Sequence, residues 1–196
     1  MTLLKEAVRL TKKPLDIDEI KFEKGDTARI IEVVRYADRE AKKERHLKDF
    51  APLLRGANDF KTCQNVWNFV KHQIPYVADT VGYERVRMPN KCIWDADRYR
   101  NGGDCKTFTV LTCDLLRELG IKSKIRFISQ NMQPKAKHVY TVAILPNGQE
   151  VPCDGVYHTF NENPYKVWAW DFDAAQLKKT PQIGNLLRGP QCLTIF

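Results

Sequence analysis

Helical apolar spacing over the first 120 residues, strand patterns after it and a turn motif joining two of the strands predict an α+β chain. Residues 27 to about 50 carry Ile30, Ile31, Val33, Val34, Tyr36 and Ala37 ahead of a densely charged stretch, the pattern of a helix with a solvated C-terminal end. A second helix is predicted over residues 60–73, where Cys63, Val66, Trp67, Phe69 and Val70 recur at helical spacing before Ile74 and Pro75. Residues 76–92 hold Gly82, Pro89 and Asn90 among charged side chains and read as a surface connection leading to Ile93 and Trp94. The third helix follows the breaker cluster Asn101-Gly102-Gly103-Asp104, and Phe108, Leu111, Leu115 and Leu119 keep helical spacing until Gly120. Asp104 is its natural N-cap, which puts Cys105 at the first helical position.

Three strands are predicted next, over residues 121–129, 138–145 and 150 to about 157, with a polar loop containing Asn131, Gln133 and Pro134 between the first two. Beyond them, Trp168, Trp170 and Phe172 are expected to cover one sheet edge, followed by a poorly ordered polar tail over residues 175–196. With 196 residues and 43% hydrophobic content the chain can bury one substantial core, so a single domain over 1–196 is expected. Within it, a core of about 60–160 is flanked by an N-terminal helical segment over 1–55 and the tail.

Thirty-two basic and twenty-four acidic side chains give a formal charge of +8, which favours approach to anionic polymers at low salt. The basic residues, such as Lys42, Lys43, Arg45 and Lys48, form no stripe interleaved with aromatics, which argues against nucleic acid as the partner. Residues 1–13 interrupt their apolar positions with Lys5, Glu6, Arg9, Lys12 and Lys13, unlike a secretory leader, and no apolar run approaches the ~20 residues of a membrane span. A cytoplasmic protein is therefore expected, with a phage particle as the alternative location. The six cysteines, at 63, 92, 105, 113, 153 and 192, are read as free thiols. They include no Cys-x-x-Cys pair, so neither a metal nor another cofactor is expected.

Cysteine-based acyl transfer needs a thiolate, an imidazole to exchange its proton, a group that orients the imidazole and donors for the oxyanion. Cys105, His138 and Asp154 supply the first three, and the N–H groups opening the helix, beginning with that of Cys105, are candidates for the fourth. The same helix end is expected to lower the Cys105 pKa. Gly103 and Asp104 shape this turn, and Trp94 is a candidate pocket wall. Cys113 and Cys153 are read as core. His158 follows Asp154 by only four residues and lacks a strand placement.

The hairpin loop decides whether His138 can meet Asp154. A two-residue Asn147-Gly148 turn would set Thr141 opposite Asp154 and point Asp154 away from His138. A three-residue loop, with Pro146 and Asn147 in a type I turn and Gly148 left-handed, sets Leu145 opposite Gln149 and Tyr140 opposite Asp154. His138 and Asp154 then lie diagonally on one face.

These residues resemble the transglutaminase-like cysteine peptidase and amidase superfamily. The match is Gly103-Asp104-Cys105 opening an amphipathic helix that ends Leu119-Gly120-Ile121, then His138 starting one strand and Asp154 on the next. The upstream Asn65-Val66-Trp67-Asn68-Phe69-Val70, leading to Ile74-Pro75-Tyr76, is similar to the family's preceding helix, and the resemblance covers about residues 60–160. It implies a papain-like α+β core in which the nucleophile's helix packs on an antiparallel sheet, here with an additional N-terminal helical layer. Glu84-Arg85-Val86-Arg87-Met88-Pro89 ahead of the Gly-Asp-Cys step looks closest to small bacterial and phage-encoded members. An acidic residue commonly follows the cysteine in those, and Lys106 departs from that. The implied activity is hydrolysis of a peptide, isopeptide or peptidoglycan-stem amide through a Cys105 thioester. The competing reading is a binding or structural module that keeps the fold without the chemistry.

Overall fold

Asp104 acts as the expected cap: its Oδ1 accepts the Lys106 N–H at 3.0 Å, and helix α5 begins at the next residue and runs Cys105–Glu118. In the computed structural model, which describes residues 2–23, 27–129, 137–163 and 169–173, α5 is buried from Lys106 through Leu116. A helix covered all round is a central element, and the others are arranged about it. Phe108, Leu111 and Leu115 enter a cluster with residues of α1 (Leu3–Leu10), α3 (Asp59–Gln73) and α4 (Pro89–Tyr99). Val110 and Cys113 enter another, formed with α2 (Thr27–Glu44) and the sheet residues Ile125, Phe127 and Val139.

That sheet has four antiparallel strands in the order β5-β4-β3-β6, with β3 Lys122–Ile128, β4 His138–Ile144, β5 Glu150–Cys153 and β6 Ala169–Asp173. A helix packed on an antiparallel sheet is the α+β arrangement that the order of patterns predicts. Phe127 is fully buried, a burial that contributes about 2–3 kcal/mol, and it meets Phe172 of β6 edge-on at 5.8 Å. The C-terminal aromatic segment thus adds a strand to the β3 edge. Trp168, the polar loop around Gln133 and the tail over 175–196 lie outside the described residues.

The β4–β5 turn has the three-residue form. Ile144 faces Glu150 and Thr141 faces Cys153, the Leu145 N–H donates to the Gln149 carbonyl at 2.9 Å, and the Gly148 N–H donates to the Leu145 carbonyl at 2.9 Å. Gly148 takes φ +82°, the left-handed conformation that a side chain resists.

The connection predicted over residues 76–92 is in fact largely structured. It contains β2 (Tyr83–Arg87), which pairs antiparallel with an unpredicted strand, β1 (Glu19–Glu23), and it leads into α4 through Pro89 at the first helical position. Its charges suggested surface because their partners lie outside the segment. Arg87 Nε, for example, is buried between Glu19 Oε2 at 3.1 Å and Asp95 Oδ2 at 3.2 Å. Two other boundaries also move inward. Helix α2 stops at Glu44, followed by Arg45 at φ +50°, and a 3-10 turn occupies Ala51–Leu54. Strand β5 stops at Cys153, because Asp154 turns the chain by accepting backbone N–H groups from the residues after it.

Candidate active site

Three elements converge at the N-terminal end of α5. The Gly103 carbonyl accepts the Val77 N–H at 2.9 Å, and Gly103 has φ +124° with no room for a β-carbon, which would lie 2.8 Å from Thr107. This turn delivers Cys105 against β4. Cys105, Phe108 and Thr109 of α5, Val139 to Thr141 of β4 and Cys153 to Gly155 line one narrow crevice.

His138 and Asp154 meet directly, with Nε2 2.7 Å from Oδ2. Asp154 is only 3% exposed and well anchored. Its Oδ1 accepts the N–H groups of Val156 at 2.9 Å and Tyr157 at 3.4 Å, and its carbonyl accepts the Trp67 indole N–H at 2.8 Å. The Tyr140 ring stacks on His138 with centroids 5.8 Å apart. The carboxylate therefore holds one imidazole nitrogen, Nε2, and an aromatic face fixes the ring plane.

Burial pushes the Cys105 thiol up to about 12, reinforced by the negative charges of Asp104 and Asp154 and opposed by the Lys106 ammonium and the Val139 N–H. This corrects the expectation of a lowered pKa. Loss of water around the sulfur, which disfavours the thiolate, is the largest contribution. The other expected site residues are divided. Gly103 and Asp104 build the turn before Cys105, whereas Trp94 sits on α4 with the Arg98 guanidinium 5.0 Å from its ring and is not among the crevice residues. Cys113 and Cys153 are buried, and His158 is exposed beside Tyr157.

Two features escaped the sequence reading. Trp67 has core spacing, and nothing in that spacing signals that its indole N–H reaches the Asp154 carbonyl. Lys106 Nζ is buried among three carboxylates, at 3.1 Å from Asp79 Oδ2, 2.5 Å from Glu84 Oε2 and in contact with Asp104 Oδ2. The short Asp104–Lys106 spacing hints at one of these pairs, but the other two depend on the β2 fold.

No family model and no curated protein matches the chain. Among solved structures, it is similar to a proposed protease from Parabacteroides distasonis, at TM-score 0.44 and 14% identity over 61% of this chain. It spans only 25% of the length of that protein. Calcium-bound LapG of Legionella pneumophila is similar at TM-score 0.48 and 16% identity, over 76% of this chain and 85% of that one. Among the described residues, no helix is long and apolar enough to cross a membrane.

Proposed function

We propose that the protein is a cysteine-dependent acyl-transfer enzyme that hydrolyses a peptide or isopeptide amide, with Cys105 as nucleophile, His138 as base and Asp154 as the group that orients His138. The observation that carries this reading is the 2.7 Å His138–Asp154 pair, held on the sheet beside the crevice that Cys105 opens. Sγ of Cys105 attacks the carbonyl carbon as its proton passes to His138 Nδ1, giving a tetrahedral oxyanion. The N–H of Cys105 is the candidate donor to that oxyanion, the Lys106 N–H being taken by Asp104 Oδ1. The oxyanion collapses to a thioester while the amine leaves with the proton from His138. Water, deprotonated by the same nitrogen, then attacks the thioester, releasing the acid and restoring the thiol. Asp154 stabilises the imidazolium during both halves without itself taking the proton.

The partly buried Cys105, whose thiol burial pushes up, also suits a second reading, a non-catalytic binding module that keeps the fold. The two separate on the alkylation rate of each cysteine as a function of pH, followed by mass spectrometry on the native protein and on His138→Ala. An enzyme gives a Cys105 that outpaces the other thiols near neutral pH and loses that lead in the variant. A Cys105 as slow as Cys113 or Cys153 throughout would leave the binding module.

A further inference from the structure

Lys106 lies one residue after the proposed nucleophile, and the reaction above gives it no role. Its side chain is 5% exposed, and its ammonium is gripped by residues from three places: Asp79 ahead of β2, Glu84 on β2 and Asp104 at the α5 cap. Asp79 Oδ2 also accepts the Arg85 N–H at 2.7 Å, and Asp104 Oδ1 the Lys106 N–H, so the carboxylates are themselves fixed in direction. One oxygen from each of Asp79, Glu84 and Asp104 lies within 4.8 Å of the others. Three carboxylate oxygens gathered this closely are the kind of donors that calcium and magnesium take. Three carboxylates around a single ammonium leave the cage with excess negative charge, and the lysine side chain fills the place an ion would take.

We infer that Lys106 is a tethered cation that positions the start of α5, and with it Cys105, by binding Asp79, Glu84 and Asp104 as a divalent ion would, making the protein independent of metal. Two consequences follow. The wild-type chain does not respond to calcium or to its removal. Truncating the lysine empties a cage of suitable donors and charge, so that calcium or magnesium substitutes for the ammonium. The positioning of Cys105 as a nucleophile rests on the reading under Proposed function, whereas the exchange of one cation for another does not.

The test uses the full chain as wild type and as Lys106→Ser, with calcium chloride, magnesium chloride or EDTA as the only additions. Thermal melting and isothermal titration calorimetry report the cation, and the alkylation rate of Cys105 at one fixed pH reports the positioning. Lys106→Ser is expected to melt lower than wild type in EDTA and to regain on the order of 5 °C when calcium exceeds its dissociation constant about 100-fold. Its alkylation rate should fall in EDTA and recover with calcium, a rescue that loss of packing alone would not give. Calcium binding by the wild type, or none by Lys106→Ser, overturns the inference. A variant that folds only with calcium supports it. If Lys106→Ser folds in neither condition, Lys106→Gln decides, since it keeps most of the bulk without the charge. It should melt lower than wild type and alkylate more slowly, and a Gln variant equal to wild type in both overturns the inference. A slow Cys105 in the wild type would refute the catalytic reading alone and leave the calorimetric result standing.

Discussion

Replacing Asp154 with asparagine tests the proposed site at the point where its geometry is most restrictive. Asp154 Oδ1 accepts the Val156 and Tyr157 N–H groups, so the asparagine carbonyl oxygen must take that position, and its NH₂ must then face His138 Nε2. A nitrogen facing a donor has to accept, which moves the imidazole proton to Nδ1, the atom that must receive the thiol proton. The turn survives, but the base is blocked and the imidazolium loses its carboxylate. A hydrogen bond to a charged group is worth about 1.5–3 kcal/mol, and at about 1.4 kcal/mol per pK unit its loss from the imidazolium raises the effective Cys105 pKa by about one to two units. Alkylation of Cys105 near neutral pH is therefore expected to slow about 10- to 100-fold, with the melting temperature lowered by only a few degrees. Stopped-flow alkylation with mass-spectrometric site assignment measures the first quantity, and differential scanning calorimetry the second. An Asp154→Asn protein that alkylates at the wild-type rate would refute the reasoning, because the 2.7 Å pair would then have no bearing on the thiol.

Three further outcomes are expected. Burial pushes Asp114 up to about 7, with Glu118 and Asp38 adding to this and Arg117 opposing it. The folded state therefore holds this proton more tightly than the unfolded chain, whose ordinary value is 3.8, and the stability it lends fades as pH rises from about 4 to 7, by up to about 4 kcal/mol. Urea unfolding across that range should show a flatter pH dependence in Asp114→Asn, and an unchanged slope would contradict the assignment. Trp67→Phe keeps the ring but loses the indole bond to the Asp154 carbonyl, so a destabilisation of about 1 kcal/mol is expected by chemical denaturation, together with slower Cys105 alkylation. Gly148→Ala meets no neighbouring atom and should cost only the left-handed backbone penalty of about 1–2 kcal/mol; a stabilised variant would mean that this turn differs in solution.

The central elements were legible because their signals are local. Asp104 caps α5 two residues from the amide it binds, and the Phe108, Leu111, Leu115 spacing is complete within one helix. Pro146, Asn147 and Gly148 select a loop length, and loop length sets which residues of β4 and β5 face each other, so the diagonal placement of His138 and Asp154 was contained in three turn residues. The strand pair β1–β2 was not legible. Its partners are sixty or more positions apart, and its charged residues suggest solvent until Glu19 and Asp95 are brought to Arg87.

The sequence by itself determined where α5 begins, how β4 meets β5 and which three residue types could share a site, since these follow from caps, periodicity and turn chemistry within a few residues. Only the tertiary structure decided the state of the site. It placed the Cys105 sulfur where loss of water raises its pKa, and it brought the carboxylates of Asp79 and Glu84 to Lys106 beside that of Asp104. Both are consequences of desolvation and of charges meeting through space, quantities that depend on what packs around a residue rather than on what precedes or follows it.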